Sequence, residues 1–218
     1  MTQLTYIAGY GRSATTTADL VEAVRRNAIS CGELWRLPHL IPIDLCSCGV
    51  SIAACPVWSG QAQRSSRLQL LWFQVLESAT TLFVPMPLVH RAVRLELGGG
   101  ESYQQYWSQA FGAASGASGT SAFVDSSKST RRTAGRPIAL HASGIDIVDL
   151  IVTHRPFRDI VQSRRNAFSR SGRHPRAIAF RTRIAQAVAI GCARLISYRL
   201  PVQLRVAISR TFSKIIAH

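Results

Sequence analysis

Apolar residues fall in short dense runs near the start and in the second half of the chain, with helical spacing between them. The run Leu4-Thr5-Tyr6-Ile7-Ala8 predicts a buried strand, followed by a glycine-bearing turn and a helix over residues 15–27. Residues 36–60 hold prolines and cysteines without a period and read as an irregular connection. Over residues 67–77 the spacing becomes helical, with Leu68, Leu71, Trp72 and Val75 on one face. Residues 82–97 are apolar and partly helical after Pro87, and residues 103–114 read as another helix. The Gly-, Ala- and Ser-rich residues 112–121 read as a loop. A short strand at 121–124 ends in Asp125, and residues 145–152 are the most strand-like run, with a helix following from about Phe157. Residues 177–216 look helical, with Ile178, Ile184, Val188 and Leu195 set between arginines.

Strands alternating with helices predict an α/β fold, a central parallel sheet flanked by helices in three layers. Residues 1–165 are expected to form this domain, and residues 166–218 a basic helical extension packed on it or appended to it. Ligands of such sheets collect at the C-terminal ends of the strands. The turn at 9–17, residues 125–128 and Arg155 all follow predicted strands, so they can converge on one crevice.

Composition narrows the classes. A hydrophobic content of 47% against 17% charged residues indicates a folded chain. It has no apolar run of about 18 residues, and no basic n-region with an h-region at the N-terminus, so a cytoplasmic location is expected. An odd set of cysteines, Cys31, Cys46, Cys48, Cys55 and Cys192, argues against a disulfide framework. The formal charge of +15 comes almost wholly from arginine, since only Lys128 and Lys214 are lysines. Arginine's planar fork bonds two oxygens of a phosphate or sulfate together. No acid follows Asp159, whereas residues 164–214 carry twelve basic residues. That stretch reads as a solvated cationic face or a degenerate tail under weak constraint, with acidic partners or a peripheral contact for an anionic membrane as the further readings; no specific nucleic-acid partner is expected.

The candidate chemistry starts at residues 9–17, G-Y-G-R-S-A-T-T-T. A strand, a turn and a helix start point free N–H groups and a partial positive charge at an anion. The loop departs from the nucleoside-triphosphate pattern G-x-x-x-x-G-K-[ST], with Ala14 and Thr15 at its Gly and Lys positions and its cation at Arg12. Further along come V-D-S-S-K-S at 124–129, Arg155 with Ser163 eight residues on, and Cys31-Gly32-Glu33 after the first helix. Cys46-Ser47-Cys48-Gly49 and Cys55-Pro56-Val57-Trp58 complete the set.

Together these residues resemble the sulfotransferases that use 3′-phosphoadenosine 5′-phosphosulfate (PAPS), whose bacterial members carry G-x-G-R-S-G-T-T, V-D-S-S-K-[ST] and C-x-C-G…C-P-x-W. The resemblance covers about residues 4–165. It implies that Gly11, Arg12, Ser13, Ala14, Thr15 and Thr16 bind the 5′-phosphosulfate and that Arg155 and Ser163 hold the 3′-phosphate. Lys128 would support the leaving oxygen as the sulfuryl group moves in line, with no metal required. The Gly-Glu spacing, similar to that of tyrosylprotein sulfotransferases, implies Glu33 as the base for the acceptor hydroxyl, with Arg36 beside it. Glu33, Lys128 and Arg12 are thus the implied catalytic set. The acceptor is expected to be a small molecule, carbohydrate or lipid, in a pocket shaped by residues 60–112, where Trp72, Phe73, Phe83, Tyr103, Tyr106 and Trp107 concentrate.

Other readings stay open from the residues alone. Asp125 also reads as the magnesium ligand of a P-loop kinase, and Glu33 as a solvated residue at a helix-to-loop junction. Cys46, Cys48 and Cys55, with Cys31 or His39 nearby, read as zinc ligands, a redox pair or buried small hydrophobes. A cationic binding protein on a sulfotransferase-like core is a third reading. Five features depart from the family pattern: Ala14, whose Cβ restricts a positive φ; Thr17 and Asp19, which weaken the apolar face of their helix; Pro156, which stands where an acid follows the arginine; Arg199, which takes an acid's place after Tyr198; and the lack of a C-terminal glycine-rich loop to close over the nucleotide.

Overall fold

The strands β1 (Gln3–Ala8), β2 (Ile29–Ser30), β3 (Ala122–Asp125), β4 (Asp146–His154) and β5 (Gln203–Ile208) form one sheet in a computed structural model. The structure describes residues 1–10, 14–46, 48–61, 65–80, 84–97, 99–127, 133–154, 156–168, 175–200 and 202–208. Every strand pair is parallel, in the order β2-β3-β1-β4-β5. The helices α1 (Thr15–Arg26), α2 (Arg67–Ala79), α3 (Met86–Ala92), α4 (Tyr103–Ser118), α5 (Arg136–Ala142), α6 (Phe157–Phe168) and α7 (Pro175–Arg199) flank the sheet, so the expected α/β fold is present.

The central strand β1 is covered on both faces, which explains its continuous apolar run. Leu4, Tyr6 and Ala8 enter the larger core with residues of α2 to α5, whereas Ile7 packs with Ala18 and Ala23 of α1. The connection from β1 runs to the edge strand β2, and that from β4 to the opposite edge, β5. Chain direction thus diverges beside the C-terminal end of β1, where a parallel sheet leaves a crevice.

Three local expectations need correction. In α2 the apolar face read from the spacing is divided: Leu68, Leu71 and Val75 are more than half exposed, Trp72 packs partly buried against the core, and Gln69, Phe73, Leu76 and Glu77 are buried. Phe73 sits edge-on to Tyr103 and Tyr106, with centroids at 5.0 and 5.6 Å, and Glu77 meets a buried arginine. These contacts, unreadable from spacing, set the rotation of the helix. Residues 112–118, expected as loop, continue α4 to a C-cap at Gly119, whose φ of 72° suits glycine. Ala110 and Ala114 are buried on that helix, so its small residues allow close packing. Residues 203–208, expected as helix, are β5, paired with β4 over six residues. The alternation Leu204, Val206, Ile208 with Gln203, Arg205, Ala207 carries the period of a strand. Arg205 reaches Glu22 of α1 at 3.6 Å and Asp149 of β4 at 3.7 Å, so the sheet includes part of the 166–218 stretch.

A buried ion cluster locks the larger core. Arg136 is fully buried at the start of α5. Its Nε donates to Asp125 Oδ2 at 3.0 Å, its Nη1 donates to Glu77 Oε1 at 2.5 Å, and its guanidinium lies 4.1 Å over the Trp107 ring. Tyr103 donates its hydroxyl to the same Glu77 oxygen at 2.8 Å. Burial pushes the Glu77 carboxyl up despite the nearby guanidinium. Burial pushes down on Arg136 as well, but Glu77 and Asp125 outweigh it and hold the guanidinium protonated. Removing one member of such a cluster strands a charge in the core, a cost of about 3–5 kcal/mol.

Candidate functional site

The site is built where β1, β2 and β3 end. After β1 the chain enters α1 through Ala14 at φ 67° and ψ 27°, the left-handed conformation that its Cβ was expected to restrict. The Ala14 carbonyl accepts the first helical bond, from the Ala18 N–H at 3.0 Å. Among the described residues no side chain caps this end and no acid lies in the first turn of α1. Thr15 is buried, and Thr16 faces a cavity.

Asp19, one turn later, explains its own departure from an apolar helix face. Its Oδ2 accepts from the Gly32 N–H at 3.0 Å and from the Ser126 hydroxyl at 2.9 Å, tying α1 to the loops after β2 and β3. Its other oxygen is buried without a hydrogen bond among the described residues. Burial pushes this carboxyl up to about 6, against the pull of the Ser126 hydroxyl. The two loops are also joined directly, since the Ser126 N–H donates to Gly32 O at 2.9 Å and the Trp35 N–H to Ser127 Oγ at 2.9 Å.

Between these loops lies a cavity of about 300 Å³. Its polar wall includes Thr16, Glu33, Arg36 and Ser126, and its apolar wall Leu34, Leu37, Ile52 and Trp58. The apolar wall therefore comes from residues 31–58, not from 60–112. Phe73, Tyr103, Tyr106 and Trp107 are buried in the core, and Phe83 lies outside the described residues.

Of the residues expected in the site, Thr16 and Glu33 meet in this cavity, with Ala14 and Thr15 at the mouth of α1. Ser163 is half-buried in the second turn of α6 and does not line the cavity. Gly11, Arg12, Ser13, Lys128 and Arg155 lie outside the described residues. Asp125 is committed: Oδ1 accepts from the Ser127 N–H at 2.7 Å and Oδ2 from Arg136, with the side chain fully buried. Both oxygens are spent on the protein, which disfavours its reading as a magnesium ligand.

Sequence reasoning named Asp19 only as a break in an apolar helix face and missed its role, and it missed Glu77 and Arg136 altogether. Pro137 in the first turn marks the helix start beside Arg136, but no local pattern marks the guanidinium's partners, Glu77 and Asp125. The cysteines behave differently from one another. Cys46 lies 3.4 Å and Cys48 3.8 Å from Cys55, sulfur to sulfur, whereas Cys31 stands apart in the cavity wall. Burial pushes the Cys46 thiol up to about 11, and the Val50 N–H holds the Cys48 thiol below its usual range.

No helix among the described residues is long and apolar enough to cross a membrane. Compared with known proteins, the chain matches no family model, no curated protein and no solved structure.

Proposed function

We propose that the protein is a sulfotransferase, moving a sulfuryl group from PAPS to a hydroxyl of a small-molecule, carbohydrate or lipid acceptor. The observation that carries this reading is the shared cavity: the start of α1 and Glu33 face the same space at the C-terminal edge of a parallel sheet. A helix start supplies N–H donors and positive potential for the phosphosulfate. Glu33 lines this cavity and serves as the base for the acceptor hydroxyl in this scheme, with the Arg36 N–H bonded to its carbonyl at 3.0 Å. In the reaction the acceptor oxygen bonds to sulfur, its proton passes to Glu33, and the bond from sulfur to the bridging oxygen breaks. Adenosine 3′,5′-bisphosphate then leaves. Arg12, Lys128, Arg155 and Ser163 hold the anionic ends of the donor in this scheme, on the strength of the motif resemblance.

Calorimetric titration with adenosine 3′,5′-bisphosphate tests the proposal. The native chain should bind it without added magnesium, and Arg155→Ala and Ser163→Ala should each weaken binding. Glu33→Gln should keep the nucleotide affinity and slow transfer by about 10²–10⁴-fold. Absence of binding by the native chain would overturn the assignment and favour a cationic binding protein.

A further inference from the structure

We propose that Cys46, Cys48 and Cys55 form a three-thiolate site for Zn²⁺ on the wall of the cavity. Their sulfur atoms all lie within 4.8 Å of one another. Zinc bound tetrahedrally at about 2.3 Å from sulfur sets its ligands about 3.8 Å apart. The separations of 3.4 and 3.8 Å fit that spacing, whereas a disulfide needs about 2.05 Å and leaves one thiol over.

Backbone bonds fix the two arms that carry the thiols. A bridge between Leu45 and Ser51 closes the arm that carries Cys46 and Cys48. Within it the Cys46 N–H donates to Val50 O at 2.8 Å and the Gly49 N–H to Cys46 O at 3.0 Å, with Gly49 at φ +90°. Ser51 then caps the short helix Ile52–Ala54, accepting from the Ala54 N–H at 3.3 Å, and this helix delivers Cys55.

The donor set selects the ion. No His, Asp or Glu joins the three sulfurs among the described residues, and soft thiolates favour zinc over magnesium or calcium. Cys46 and Cys55 are buried while Cys48 is exposed, so the cation enters from solvent and takes its fourth ligand there. Cys46 also lines the cavity, so the ion would pin the wall formed by residues 44–58. This site does not depend on the sulfotransferase reading.

The test is a Co²⁺ titration of the reduced, metal-stripped full-length chain, followed by displacement with Zn²⁺. A thiolate-to-cobalt charge-transfer band should saturate at one equivalent and vanish as zinc replaces cobalt. Zinc should also raise the melting temperature. Cys48→Ser should weaken cobalt binding about tenfold or more and abolish the zinc-dependent rise in melting temperature. Because Cys48 is exposed, its metal-free variant should melt like the metal-free native chain. Cys192→Ser, outside the cluster, should bind cobalt as the native chain does. The proposal is overturned if the native chain shows no charge-transfer band, or if Cys48→Ser titrates identically to it.

Discussion

Ala14 occupies a backbone conformation that costs an L-residue about 1–2 kcal/mol, yet it opens the helix that faces the cavity. Ala14→Gly should relieve that strain, partly offset by the greater freedom of glycine in the unfolded chain, and stabilise the protein by about 1 kcal/mol. A denaturant midpoint unchanged or lowered would contradict this. Asp19 makes the second prediction. Its carboxyl is held at about 6 against an ordinary 3.8, so ionising it in the fold costs free energy. Its contribution to stability is therefore full below pH 3.8 and is lost as the pH rises through about 6. Asp19→Asn keeps an oxygen for Gly32 and Ser126 and cannot ionise. It should match the native chain near pH 4 and exceed it by at most about 3 kcal/mol at pH 8. Unfolding curves at the two pH values check the sign, and equal differences at both would refute it.

Helices record the limits of periodicity most directly. In α2 two apolar stripes compete, and the one that holds Phe73 and Leu76 wins because it brings Glu77 to Arg136 and Gln69 to the Glu101 carbonyl. Leu76→Ala should cost about 2–5 kcal/mol, whereas Leu71→Gln should change stability by about 0.5 kcal/mol or less. Thermal melts of the two variants settle which face is inside. The extension of α4 through residues 112–118 was illegible for another reason. Glycine, alanine and serine mark loops by default, yet the helix goes on to its C-cap, where the Gly119 N–H donates to Ser115 O at 2.9 Å. Within the site, Thr16 and Glu33 were legible as motif residues, but Asp19 was not. A carboxylate inside a helix gains meaning only when Gly32 and Ser126 arrive from other strands.

For the molecule as a whole, β5 closes one side of the sheet and links it to α1 through Arg205, Glu22 and Asp149. Deleting residues 202–218 should leave β4 as a nine-residue edge strand and promote association. Size-exclusion chromatography of the truncated chain should show oligomers or aggregate; a monomer that melts like the native chain would show β5 to be dispensable. The alternation of strands with helices was readable from the chain, as was the passage from β1 into α1, because both depend on neighbours in sequence. Strand order, the inner face of α2, the Arg136 cluster and the meeting of three thiols were decided only by tertiary structure. Each requires groups far apart in sequence to meet, and local pattern holds no record of distant partners.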